Sequence, residues 1–553
     1  MSGWQGPDGV SSVDSLVRTW PSYCRSEDQR CPERVAAKSR VGLEIPGDAA
    51  PRKPRDIDSY PLAPAGRILD LVEFHGRTSE EAYRVSHVGA QRDEAAVSAL
   101  DVWTRHAVEG FLSASAVLTQ ESGLHLAPAS REWVVRDRLV DGVGEILHEQ
   151  CVTGRRYSAD GVREVRILRI GSVCAREIDR REIAAAARVL ADGREVLRRS
   201  WREAHTLSSR APDVELVRVV EVGCLDGSQR VVFNGTAEAA RAAYRDYAEE
   251  PLRAAIRGGE YRPGGHCADC RLVSVCPAVT QAPGLLGADR PTPWRRTWSV
   301  TTSREHSACA RREYLSSLHL PGRARPETMA VQRGRAVHAW LERSHGDPEA
   351  GGCRAIEPPE PTPSWTFAGF ELTGEEAALA VQMIGDHAAV CPVDGASPDT
   401  RFEPERSVFV FDRAANALVI AKADLLFLRD GAWVLRETKT TSSASVYDPI
   451  ARYPQTALAI VLAASGGRLD GLAIGCVELE LLTGSGPLRI PFDPRDSYTV
   501  RHAREVLRRH AGGWLRDTEF KPDPGPGCAS CRWTRWCAEA ADGTGASPEG
   551  EEP

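Results

Sequence analysis

The feature that most constrains this chain is a motif that occurs twice. Residues 267–276 read CADCRLVSVC and residues 528–537 read CASCRWTRWC. Both are C-x2-C-x5-C, and their first cysteines, Cys267 and Cys528, lie 261 residues apart. The likeness extends outward. Ahead of each triplet come a charged helical stretch, an aromatic residue and a proline, and ahead of those a strand-turn-strand pattern. Farther upstream, the segment around Cys31 parallels the one around Cys309, and residues 91–100 parallel residues 332–341. Such self-similarity predicts a tandem duplication. Its blocks are expected at 1–285 and 286–540, joined by a Pro/Gly-rich linker over 280–293. A disordered tail is expected at 541–553.

With 553 residues the chain has room for more than one core. Its net charge of -7 excludes a cation that binds polyanions over its whole surface, so any basic binding surface must be local. No apolar run is long enough to span a bilayer and no secretory pattern opens the chain, which predicts a cytoplasmic protein with no membrane partner. Fifteen cysteines then need an account. In a reducing compartment, clustered cysteines point to metal and scattered ones to the core. Six fall in the two triplets. Cys151, Cys174, Cys224, Cys353, Cys391 and Cys476 read as core or incidental thiols.

The second block carries the chemistry. Residues 417–441 read as an apolar strand, an Asp430-Gly431 turn and a second strand, a strong hairpin signal. A two-residue turn there sets Asp424 directly opposite Glu437, and Lys439 follows on the same face as Glu437. Two carboxylates so close repel unless a cation sits between them. A hard divalent ion such as Mg²⁺ or Mn²⁺ suits oxygen ligands, and the neighbouring Lys could position a water for attack on a phosphodiester.

This segment resembles the D…(E)xK signature of the PD-(D/E)XK nuclease superfamily, in particular its RecB-like branch, which includes CRISPR-adaptation nucleases and the AddB nuclease domain. The resemblance implies an α/β fold, a restriction-endonuclease-like core with a central mixed sheet flanked by helices. The branch has a histidine on an upstream helix in a G-x-x-x-H setting, matched by Gly334 and His338. A glutamine helix after the E-x-K strand is matched by Gln455, with Tyr453 beside it, and Glu405 is matched to a further acidic position. The resemblance thus implies catalytic Asp424, Glu437, Lys439 and Gln455, with His338, Asp424 and Glu437 as metal ligands. Ala421 and Ala459 stand where the family often has Gly and Tyr.

Members with an iron–sulfur cluster have one cysteine near the domain start and a C-x2-C-x5-C triplet at its end. Cys309, Cys528, Cys531 and Cys537 fit that pattern. Thiolates suit a 4Fe–4S cluster, with four-cysteine zinc as the alternative. Cys31, Cys267, Cys270 and Cys276 could build a second cluster, with Cys24 as a rival to Cys31.

The first block lacks the catalytic set. Val97 stands where His338 would be, and Glu164 and Arg166 lie where an E-x-K might. It reads as a degenerate, silent copy. Arginine-rich segments suggest where DNA would lie. Arg295, Arg296, Arg304, Arg311 and Arg312 have Trp294 and Trp298 interleaved, while Arg504, Arg508 and Arg509 share a helix. The second triplet adds Arg532, Trp533, Arg535 and Trp536, with arginines for phosphates and aromatics for bases. The expectation is a metal-dependent DNA nuclease acting at single-stranded ends or flaps, in repair, recombination or anti-phage defence. The alternative is a non-catalytic iron–sulfur subunit that binds DNA ends beside a helicase. No G-x-x-x-x-G-K-[ST] loop occurs, so a helicase would have to be a partner.

Overall fold

The structure, a computed structural model, describes residues 4, 6–8, 10–12, 16–25, 31–45, 60–88, 99–141, 144–174, 176–347, 352–355, 364–397, 399–441 and 447–540. The tail expected at 541–553 and Val97 lie outside the described residues. The chain packs as two compact units. The first comprises Met1–Ala278, Arg311–Arg323 and Glu519–Pro553, and the second Val279–Ala310 and Ala324–Thr518.

The first unit holds two five-stranded sheets. One runs, in spatial order, Gln229–Thr236, Leu216–Gly223, Val162–Arg169, Arg155–Ala159 and Ala127–Pro128. Its central hairpin turns at Asp160-Gly161, and Leu216–Gly223 lies parallel to Val162–Arg169. The helix Arg180–Asp192 comes between those two parallel strands in sequence, capped by Asp179, whose carboxylate accepts the Arg181 and Glu182 N–H groups. Its Ile183, Ala186 and Leu190 pack against Val165, Val217 and Val219.

The second unit is built on a mixed sheet of eight strands. Its central strands are β1 (Phe402–Asp412), β2 (Ala417–Arg429), β3 (Ala432–Thr440), β4 (Leu472–Thr483) and β5 (Gly486–Phe492). β1, β2 and β3 form an antiparallel meander, β4 pairs parallel with β3, and β5 returns antiparallel to β4. A parallel neighbour needs a crossover, which α4 (Pro454–Ala464) supplies. The remaining helices used below are α1 (Val300–Ala308), α2 (Met329–Gly346), α3 (Gly374–Ala388) and α5 (Ser497–Arg516).

Two cores hold this unit. In α4 every residue from Thr456 to Leu462 is buried, which is why its sequence is apolar on all sides. With α5 it covers Trp433, Leu435, Val477, Leu479 and Leu481. α2 and α3 form a second core with Leu482 and a small hairpin, Ser364–Phe367 and Phe370–Thr373. The alternation along β3 and β4 follows: odd residues meet the first core, while even residues such as Arg436, Glu478 and Glu480 turn to the other face.

Candidate active site

The β2–β3 hairpin folds as its turn dictates. Asp430 and Gly431 both have positive φ, 52° and 76°, the conformation of a two-residue hairpin turn. Five cross-strand pairs follow, from Arg429↔Ala432 to Leu425↔Arg436. The sixth would be Asp424 with Glu437, and there the ladder stops. Instead the Thr438 backbone N–H donates to Asp424 Oδ2 at 2.7 Å.

Side-chain alternation in β2 also slips at this point. Val419 and Ala423 enter the first core before Asp424, and Leu426 enters it after, so an extra residue intervenes. On β1 the pairs Pro404↔Leu425 and Arg406↔Ala423 bracket Glu405, which has φ 53° and so lies opposite Asp424 in a left-handed kink. Such irregularities re-aim side chains. Here they bring two carboxylates towards α2, where His338 Nδ1 lies 3.5 Å from Asp424 Oδ1 and 3.8 Å from Glu405 Oε1. Gly334, one turn before His338, lets α2 approach the end of β3: a Cβ there would lie 2.9 Å from Thr440 Oγ1.

Lys439 binds both carboxylates of the hairpin, with Nζ 2.5 Å from Glu437 Oε1 and 3.3 Å from Asp424 Oδ2. Burial, together with the Asp424 charge, pushes the Glu437 carboxyl up to about 7 despite Lys439. Burial alone would lower the Lys439 ammonium, but Glu437 and Asp424 outweigh it and hold the ammonium charged. Burial likewise opposes the His338 imidazolium, and Glu405 and Asp424 outweigh it, so its pKa is raised. Glu405 is held low by His338 and Lys422, which overcome its own burial.

The donor set suits a hard divalent cation. One ligand atom each of His338, Glu405 and Asp424 converge within 4.8 Å of one another. Glu437 stands beside them, paired with Lys439. Glu405 therefore joins His338 and Asp424 more directly than Glu437 does. A sequence signal existed, an acidic residue one strand before the hairpin, but its value depends on a backbone kink that periodicity does not reveal.

Other expected site residues lie elsewhere. Gln455, on α4, accepts from Arg304 Nη2 at 3.4 Å, and Tyr453 forms the N-cap of that helix and packs partly into the first core. Arg311 is 1 % exposed; its Nε donates to the Phe520 carbonyl and Nη1 meets Glu539 at 3.3 Å. Its guanidinium is enclosed. Arg312 is half-buried. Trp294 and Trp298 are core residues, and Arg296 stacks on Trp514, so this part of the expected stacking surface is absorbed by packing. Arg304, Arg504, Arg508 and Arg509 remain on the surface.

In the first unit, Arg532 is exposed and its Nε donates to the Arg323 carbonyl, while Trp533 Nε1 donates to the Leu320 carbonyl. Trp536 is buried against Trp103, rings perpendicular at 4.9 Å. Cys528, Cys531 and Cys537 belong to that unit, and Cys309 caps the end of α1 in the second. Cys31 accepts from the Arg34 and Arg262 N–H groups at 3.4 and 3.5 Å, and Cys267 from Gly264 N–H at 3.4 Å. Cys270 is buried and Cys276 half-buried. The sequence reading missed another group. Cys353 and Cys391, taken as core or incidental thiols, converge with His345 and His387. The His-x3-Cys spacing of His387 and Cys391 was the available signal.

Among the described residues no helix is long and apolar enough to cross a membrane. No curated protein matches the chain. A solved structure titled "Crystal structure of SSO0001" is similar at 14% identity, covering 43% of this chain and 93% of that one, with a TM-score of 0.17. A mixed sheet flanked by helices is consistent with the restriction-endonuclease-like core, and residues 297–538, which carry the site just described, match the family model of the PD-(D/E)XK nuclease superfamily.

Proposed function

We propose that this chain is a divalent-metal-dependent DNA nuclease, hydrolysing phosphodiesters at single-stranded ends or flaps in repair, recombination or anti-phage defence. The observation that carries it is the convergence of His338, Glu405 and Asp424 beside a Lys439 already bound to two carboxylates. His338, Glu405, Asp424 and Glu437 would hold Mg²⁺ or Mn²⁺, which would polarise the phosphate and neutralise its developing charge. Lys439, kept cationic by its two carboxylates, is placed to orient a water. Asp424 is oriented for its role by the Thr438 N–H. Exposed Arg304, Arg504 and Arg508 offer phosphate contacts, and Gln455 would act through its bond with Arg304. The test is a nuclease assay on single-stranded and flapped DNA with Mn²⁺. Cleavage undiminished in both Asp424→Ala and Lys439→Ala would overturn the reading.

The first unit fits a degenerate copy of the second. Its hairpin also gives five pairs from an Asp-Gly turn, Ala159↔Val162 to Arg155↔Arg166, followed by a parallel strand and an antiparallel return. Counting from the turn places Gly154, Ile167 and Arg169 at the positions of Asp424, Glu437 and Lys439, rather than Glu164 and Arg166. Gly154 has φ 127° and a Cβ there would meet the Arg166 carbonyl at 2.6 Å. Glu164 is buried and neutralised by Arg166 and Arg218. An iron–sulfur cluster on Cys309, Cys528, Cys531 and Cys537 is what the resemblance implies, and the repeated motif makes Cys31, Cys267, Cys270 and Cys276 a second candidate set. Backbone N–H groups donate to the Cys31 and Cys267 sulfurs. A second reading, an iron–sulfur subunit that binds DNA ends for a partner helicase, predicts binding without cleavage in the same assay.

A further inference from the structure

We propose that the second unit also holds a structural zinc ion between His345, Cys353, His387 and Cys391. One ligand atom from each lies within 4.8 Å of the other three, and all four residues are buried. His345 Nε2 is 3.1 Å from His387 Nε2 and 3.5 Å from Cys391 Sγ. With zinc bonds of about 2.0–2.1 Å to nitrogen and about 2.3 Å to sulfur, ligands at tetrahedral corners stand roughly 3.3–3.8 Å apart. The His345–His387 and His345–Cys391 spacings therefore lie close to the tetrahedral values.

The chemistry is specific. His387 Nδ1 meets Glu480 Oε1 at 2.7 Å, which assigns the ring proton to Nδ1 and turns the Nε2 lone pair inward. A carboxylate behind a histidine is the usual support for a metal ligand. Two thiolates would neutralise the ion, so no net charge is buried. Two imidazoles and two thiolates favour zinc over Mg²⁺ or Mn²⁺, and four buried protein ligands favour a structural role.

The surroundings hold the ligands in place. Gly352, beside Cys353, has φ 98°, and a Cβ there would lie 2.3 Å from Asp394 Oδ1. Arg354 Nε donates to the Ala388 carbonyl at 3.0 Å, tying the Cys353 turn to the end of α3. Arg436, from β3, donates to the Val390 carbonyl between His387 and Cys391 at 2.9 Å. The link to the acidic site runs through one residue. Thr438 lies between Glu437 and Lys439; its N–H binds Asp424, and its hydroxyl donates to Glu480 Oε2 at 3.0 Å. A zinc ion would thus fix α2, α3 and the strand that carries Glu437 and Lys439.

The full chain, purified without chelator and then incubated with zinc and desalted, should carry one zinc at this site. Cys391→Ala should lose it, while Cys31→Ser and Cys528→Ser should not. Cobalt exchanged into the wild type should give the intense visible bands of a tetrahedral thiolate site, reduced in Cys353→Ser. Glu480→Gln, which keeps shape and volume, should weaken zinc retention against a competing chelator about 10- to 100-fold. If the cysteine variants do not fold, the wild-type cobalt spectrum and Glu480→Gln decide. Wild-type protein that stays metal-free, zinc content unchanged in Cys391→Ala, or a Cys353–Cys391 disulfide would overturn the proposal. Metal content is read without any nuclease assay, so it stands or falls apart from the proposed activity.

Discussion

Asp424 has two duties: it accepts the Thr438 N–H, which an amide oxygen could also do, and it faces His338, where its charge matters. Asp424→Asn should therefore leave the fold intact and lower Mn²⁺-dependent cleavage by roughly a thousandfold, the scale of losing one preorganised electrostatic group. Circular dichroism and a labelled oligonucleotide would check the two halves of that statement. Glu437 makes a second prediction. Its folded pKa, about 7, lies above its ordinary value. In the metal-free protein the stability it contributes is complete below the unfolded pKa and is lost as pH rises through about 7. Melting temperature without metal should fall over pH 5–7 more steeply than in Glu437→Gln, and saturating Mn²⁺ should remove the difference. If wild type and Glu437→Gln melt in parallel, the carboxyl is not strained. At this scale the convergence of Asp424, Glu437 and Lys439 was legible from the hairpin turn, and that of His338 with Asp424 only through the family resemblance. Glu405 was legible only as an acidic residue, since its aim depends on a left-handed backbone. Arg311 and Trp298 are buried, which composition does not reveal.

The hairpin was the most legible element, and for a physical reason. Asp-Gly admits two positive φ values in succession, and that turn sets every cross-strand pair up to Leu425↔Arg436. What sequence could not give is the point where pairing fails. The slip at Asp424 is a tertiary effect, visible only when Ala423 and Leu426 are seen in one core. The first unit's hairpin differs at the same distance from its turn. Gly154 has both an unfavourable φ for a side chain and no space for one, whereas Gly431 has open space around it. Gly431→Ala should cost about 1–2 kcal/mol, the left-handed penalty alone. Gly154→Ala should cost more, because the Arg166 carbonyl must also move. Chemical denaturation of the two variants compares them directly, and equal costs would argue against the close approach at Gly154.

For the whole molecule, the two cysteine triplets raise a question of stoichiometry. If Cys31, Cys267, Cys270 and Cys276 form one cluster, and Cys309, Cys528, Cys531 and Cys537 another, anaerobically purified protein should be brown. It should then hold about eight irons per chain, four for each 4Fe–4S centre. Cys267→Ser should remove about half of that iron. The loss should leave cleavage measurable, because the proposed catalytic residues all lie in the second unit. Cys528→Ser should remove the other half. A wild type with about four irons, lost only in Cys528→Ser, would mean that the first set is unfilled. In that case Cys31 and Cys267 are thiols that accept backbone N–H groups, or their sulfurs bind another metal. Colourless protein whose zinc is lost in Cys528→Ser would instead make the triplets zinc knuckles and remove the iron–sulfur half of the resemblance. It would leave the metal-binding group at His338, Glu405 and Asp424 untouched, since those ligands are oxygen and nitrogen and owe nothing to the cysteines.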